Sequence, residues 1–395
     1  MKKYIYILIC ALCFTGCELD IPSQVSLDAN QELNQDDVEK LLNGLYESIV
    51  NPSGYGYFNI IYPDVLADDL KGVKFQWFQV QYAYEHKVPA DDILNSYLYP
   101  YFYTAIARAN TILKAPSATD AQKGIARYCR AISYMRLIDL YGPVPIVDVD
   151  YNNDYIQRSS EKKVLEFMVE DLKFARDNAP KFNGVNTTPS SEAAQALLAR
   201  IYRIQGNISQ AGIEAEEVIK GGKFSLSNDP KGDRDREIIM NFATLPGTSS
   251  SNAEWGWIMS WDARDWNCFA ISEEVIKLIK PGDRRAVFYD IEEAPERLGY
   301  VFTNKYNQAN ADAELMISRL AEMYLISAEA GNANRLTEFQ TYRNSSLTLE
   351  EERRLELAGE FLRWRELKMK GETYVIPYPK SSADANPLLS EPVLE

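Results

Sequence analysis

Apolar side chains recur every three to four residues along most of this chain. Over 160–178, Leu165, Met168, Val169 and Leu172 fall at i, i+3, i+4 and i+7, one stripe of a helix that starts after Ser159 or Ser160 as N-cap. The same pattern predicts helices over 36–50, 92–115, 119–141, 160–178, 190–205, 209–221, 272–280, 315–331 and 348–369. Thr348 and Glu351 have the spacing of a capping box opening the last of these. Two stretches break the pattern. Residues 51–91 are rich in Tyr, Gly and Phe, and residues 223–270 in Gly, Ser, Asn and Trp. Stretches this long inside a compact domain are functional or disordered, and their aromatic content argues against disorder. The expected fold is one all-α domain over 36–395 with long irregular insertions near 51–91 and 223–270.

A repeat test narrows the helical class. Read as one 34-residue tetratricopeptide unit, residues 192–225 place Leu198, Ala199 and Tyr202 on the first helix, Gly206 at the turn, and Ala211 and Ala215 on the second. Gln195 and Lys223 miss the Trp and Pro positions of that pattern. Partial echoes occur at 131–134 and 321–324. The expectation is a tetratricopeptide-like scaffold of irregular repeats; the alternative is generic amphipathic helix pairs.

The first seventeen residues change the picture from fold to location. Lys2 and Lys3 precede an apolar run from Tyr4 to Phe14, then Thr15, Gly16 and Cys17. This is a secretory leader, too short to span a bilayer, which takes about 20 residues. A cysteine at the cleavage point is where bacterial lipoproteins receive their lipid. The expected product loses 1–16, is lipidated at Cys17, and leaves the membrane through a tether over 17–35. The net charge of −15 argues against nucleic-acid partners. Beyond Cys10, Cys13 and Cys17 only Cys129 and Cys268 remain, which is no disulfide framework.

Candidate chemistry is sparse. His86 is the single histidine and has no ligand-spaced neighbour, so no catalytic triad or metal site is expected, and no cofactor. Paired carboxylates occur at Asp68-Asp69, Asp91-Asp92, and Asp233 with Asp235, but among 57 acids such pairs arise by chance. The aromatic pattern is more informative. Trp255, Trp257, Trp261 and Trp266 lie within twelve residues, beside Asn252, Asp262, Arg264, Asp265 and Asn267, and Phe75-Gln76-Trp77-Phe78 forms a second cluster. Flat rings stack on the apolar faces of sugars and other flat ligands. The competing reading is that these rings anchor loops on the helical core.

Four segments, in order, resemble the SusD/RagB family of surface nutrient-binding lipoproteins from Bacteroidetes. Residues 103–113 are similar to its Y-x-x-I-x-R-A-N helix, and 130–146 to R-A-x-x-Y followed by L-Y-G-x-V-P. Residues 319–330 resemble R-x-A-E-x-Y-L-x-x-A-E-A, and 352–364 resemble E-R-R-x-E-L-A-x-E-G-x-R-W, with Phe361 in place of the Gly. The resemblance implies a non-enzymatic subunit of the outer-membrane cell surface. It would bind a glycan or other oligomer and deliver it to a SusC-like, TonB-dependent transporter. It also implies that the two aromatic regions meet around the ligand, with Trp77, Asp68, Asp69, Trp257, Trp261 and Arg264 as candidate contacts. Glu352, Arg353, Arg354, Glu356, Glu360 and Arg363 are expected on one helix, with Trp364 in its core stripe. The remaining alternatives are a surface glycoside hydrolase and a periplasmic helical-repeat adaptor.

Overall fold

The computed structural model describes residues 33–50, 58–152, 154–228, 234–243, 254–306 and 314–395. Cys17, the leader and the tether up to residue 32 lie outside the described residues, as do Asn252 and Asp233. Helix α1 (Gln35–Val50) precedes α2 (Phe58–Val65), strand β1 (Leu70–Lys74) and α3 (Phe78–Tyr84). Five longer helices follow: α4 (Ile93–Lys114), α5 (Asp120–Tyr141), α6 (Glu161–Asn178), α7 (Ser191–Ile204) and α8 (Ile208–Lys220). Strands β2 (Ile238–Phe242), β3 (Cys268–Ile271) and β4 (Leu315–Arg319) lead to α9 (Leu320–Glu329), α10 (Ala333–Arg343), α11 (Leu349–Leu357) and α12 (Arg363–Met369).

Helix starts follow from local chemistry. Asp92 accepts from the Asn95 N–H at 3.0 Å, Thr119 and Gln122 form a capping box, and Ser160, Ser190 and Asn207 cap α6, α7 and α8. From α4 to α8 each helix packs on the next, and α9 packs on α8. Helix α5 is the centre of the stack: every residue from Tyr128 to Tyr141 is buried. The α7–α8 pair is the unit read as a repeat. Ala199, Ala211 and Ala215 are fully buried, and Gly206 turns the chain at φ 77°. At Gly212 an added Cβ would lie 2.3 Å from the Ala330 Cβ, so only glycine admits that approach between α8 and the end of α9.

The C-terminal helices enclose a polar interior. Glu356 is fully buried and binds Arg343 (2.6 Å) and Arg319, with Arg285 at 3.7 Å. Glu360 takes Lys305 at 2.6 Å and Arg319 at 2.8 Å. Burial alone would raise the Glu356 carboxyl, but Arg343, Arg319 and Arg285 hold it well below the usual carboxylate range.

Three of the expected helices change on folding. The stretch 315–331 opens as strand β4, paired antiparallel with β2 from Ile238↔Arg319 to Phe242↔Leu315, and turns helical only at Leu320. Its run of Leu, Met and Ile satisfies either period, and the partner strand decides. The 348–369 helix is two helices broken over 358–362, where Gly359 and Phe361 adopt positive φ (75° and 62°). The break turns Glu360 toward Lys305 and Arg319, a stronger pull than a further helical turn. Glu360 and Arg363 therefore do not share one helix with Glu352–Glu356, whereas Trp364 is in the core as expected and donates to the Asp139 carbonyl at 2.8 Å. In 272–280 only Glu273–Ile276 is helical. Helices α2, α3 and α10 were not signalled by periodicity; α10 buries only Phe339 and Arg343. Both insertions thus contribute strands. Among the described residues no helix is long and apolar enough to cross a membrane.

Candidate ligand-binding face

Strand β1 from the first insertion pairs antiparallel with β3 from the second, Leu70 opposite Ile271 and Gly72 opposite Phe269. A register shift between Gly72 and Lys74 bends the edge. The ring of Phe75 folds back over Gly72, where a Cβ would lie 2.3 Å from it, and meets Phe269 edge-on at 5.8 Å. The strand pair therefore delivers the two aromatic segments to one place.

Asn267 fastens them. Its Oδ1 accepts the backbone N–H groups of Gln76 (3.0 Å) and Trp77 (3.1 Å), and the residue is fully buried. Beside this tie the rings of Trp77 and Trp266 lie 6.1 Å apart at 60°. Trp77, Trp257, Trp261 and Trp266 are all half-buried. One side of Trp261 rests 6.1 Å from buried Phe302, and the Arg264 guanidinium lies 5.4 Å from its ring. Gln76, Asp262, Arg264 and Asp265 are exposed around the rings, and Phe78 is 60% exposed. Half-buried rings fringed by exposed polar groups can present stacking faces and hydrogen bonds together.

The candidate residues separate on this geometry. Trp77 stands beside Trp266 and Arg264 over Trp261, while Trp77, Trp257 and Trp261 all rest partly against the core. Trp255 has no described side chain. Asp68 and Asp69 face elsewhere: Asp68 holds Arg363 at 2.6 Å and Arg354 at 3.1 Å, and buried Asp69 holds Arg354 at 2.9 Å. Of the polar neighbours read from the sequence, Asn267 is spent on backbone. No local pattern marks that role, because its partners lie about 190 residues away in the chain. Asp92 is a helix cap.

His86 donates from Nε2 to the Leu66 carbonyl at 2.8 Å and stacks on Tyr374 at 4.6 Å, a structural position. No group of three His, Cys, Asp or Glu among the described residues could hold a metal. Burial pushes the Cys268 thiol up to about 12, and Cys129 is also buried.

A SusD-like family model described as "Starch-binding associating with outer membrane" matches residues 19–203. The chain is 23% identical over 490 residues to SusD-like protein P2 of Formosa agariphila, covering 99% of this chain and 97% of that protein. A putative sugar binding protein from Bacteroides vulgatus has the same fold, with a TM-score of 0.77 at 22% identity over 91% of this chain and 98% of that one. A laminarin binding SusD-like protein superposes with a TM-score of 0.74 at 19% identity, over 89% of this chain and 98% of that one. The ordered motifs, the helix stack and the full-length relatives agree: residues 19–203 match the SusD-like family, and the fold is that of SusD superfamily proteins.

Proposed function

We propose that this protein is a non-enzymatic, lipid-anchored nutrient-binding subunit of the cell surface. It binds a glycan on the aromatic face and passes it to a SusC-like, TonB-dependent outer-membrane transporter. The observation that carries the reading is the meeting of half-buried Trp77 and Trp266 across the two insertions, pinned by Asn267, with Trp261 and exposed Arg264 in the turn that leads to Trp266. Such rings offer an apolar surface to sugar C–H groups, while Arg264, Asp262 and Gln76 offer hydrogen bonds to hydroxyls. The relatives with sugar- and laminarin-binding names support a glycan, and the family description supports the outer membrane. The leader ending at Cys17 supports the anchor.

The test is binding to a panel of soluble polysaccharides, laminarin and starch included, measured beside melting temperature for the wild type, Trp77→Ala and Trp261→Ala. Removing a central aromatic anchor costs about 2 kcal/mol, or roughly thirtyfold in affinity, with the melting temperature little changed. If both variants bind like the wild type, or lose stability before affinity, the rings are structural clamps and the reading fails. Reducing ends released from the panel would favour a hydrolase instead. Cys17→Ala should move the protein from the membrane fraction to the soluble one. Protease treatment of intact cells separates a surface position from a periplasmic adaptor.

A further inference from the structure

The Glu-Arg-Arg segment does two jobs. Its glutamates Glu352 and Glu356 point into the buried ion network, while Arg353 and Arg354, with Arg363 beyond the helix break, line a cleft of about 340 Å³. Arg203 and Lys370 join them, and Leu349, Leu357 and Leu362 supply apolar wall. Most of these cations are matched. Arg203 grips Glu366 with two bonds, at 2.6 and 2.9 Å, and reaches Glu329 Oε2 at 2.5 Å. Arg354 and Arg363 hold Asp68, and Lys370 is paired with Glu350.

Arg353 is the exception. It is 6% exposed, and its one bond runs from Nη2 to the same Glu329 oxygen that Arg203 uses, at 2.9 Å. No partner among the described residues meets its Nε or Nη1. Burial, and after it the neighbouring Arg203, push its guanidinium below its ordinary value. A guanidinium carries five donors, and those left open at the wall of a cleft can take an acceptor. Glu366, Glu329 and Glu322 oppose that push, but only Glu329 bonds to the guanidinium, and an anion entering the cleft would give its remaining donors an acceptor.

We propose that this cleft binds a small oxyanion, a carboxylate, sulfate or phosphate group, with Arg353 as its principal ligand. The volume corresponds to roughly ten waters, enough for an inorganic ion or one acidic sugar and too small for a polymer. The shared chemistry has two sources: a free inorganic ion, or the acidic group of a sugar such as a uronate.

The test compares phosphate, sulfate and glucuronate at about 10 mM with chloride at matched ionic strength, using melting temperature and calorimetric titration of the full chain without its leader. Glucose is the neutral control. At least one oxyanion should raise the melting temperature by about 1–2 °C over chloride, and Arg353→Gln should abolish the rise. A response to phosphate or sulfate points to a free ion; a response to glucuronate alone points to a sugar acid. Should Arg353→Gln fail to fold, Leu349→Trp narrows the cleft from its more exposed side and should weaken binding about tenfold or more. The proposal is overturned if no oxyanion exceeds chloride, or if Leu349→Trp and any folded Arg353→Gln bind like the wild type. The measurement uses no glycan polymer, so its outcome is independent of the aromatic face.

Discussion

In the helix stack, small residues such as Ala199, Ala211 and Ala215 let neighbouring helices close, and from α4 to α8 the contacts join helices consecutive in sequence. On the aromatic face, the contacts join residues 70–77 to 267–271 through a strand pair and one asparagine side chain, and the rings stay half-buried. The first arrangement maximises buried apolar area. The second leaves apolar rings in reach of solvent while using buried polar groups to hold them there. A surface built for packing and a surface built for presentation thus differ in what fastens them, and stability and binding should respond to different substitutions.

The largest effect is expected at the polar interior enclosed by the C-terminal helices. Glu356→Ala leaves Arg343, Arg319 and Arg285 short of a buried counter-charge, which should cost about 3–5 kcal/mol. Chemical denaturation reads it directly; a loss below about 1 kcal/mol would mean that the remaining glutamates suffice. Next comes the stack itself. Ala199→Leu overfills a fully buried position and should cost about 1–3 kcal/mol of stability without selective loss of ligand. An unchanged melting temperature would show that this helix pair is not closely packed there.

Asp64 lies between the two regions, on α2, and responds to pH with the opposite sign to Glu356. Its Oδ2 accepts the Phe361 N–H at 3.0 Å, its Oδ1 is buried without a partner, and burial, followed by the nearby Asp69, raises its carboxyl to about 7. Arg136 and Glu360 also face it. A carboxyl raised on folding binds its proton more tightly in the native state, so its contribution is present at low pH and is lost as pH rises through about 7. Asp64→Asn should therefore flatten stability across the interval from about 4 to 7 and stabilise the protein at pH 8, on the order of 1–2 kcal/mol. Stability at pH 8 that falls instead would place a working negative charge at Asp64. Glu356, held low, contributes above its unfolded value and loses that contribution as the solution is acidified.

The smallest effect on folding belongs to the aromatic face. Arg264 is exposed and sits over Trp261, so Arg264→Ala should change stability by no more than about 0.5 kcal/mol. If Arg264 helps to hold the ligand, affinity should fall several-fold in the same variant. Equal and negligible changes in both would remove Arg264 from the proposed site and leave the rings alone.

The sequence by itself determined the helices whose stripes and caps are local. Thr119 with Gln122, Ser160 with its stripe, and Thr348 with Glu351 act within one turn, so α5, α6 and the start of α11 were legible to within a residue or two. It also carried the family resemblance, because the motif residues are mostly core or ion-pair residues that this fold requires. The tertiary structure alone decided whatever depends on a distant partner. Residues 315–319 became a strand because β2 was there to pair with them, and the final helix broke because Lys305 and Arg319 bind Glu360 beyond the break. The same holds for Asp68 and Asp69, drawn to arginines almost 300 positions away, and for Asn267, whose two backbone bonds make one face of two separate aromatic clusters. Periodicity reports only on the nearest few residues, whereas these choices turn on electrostatic and hydrogen-bonding partners that become neighbours only once the chain has folded.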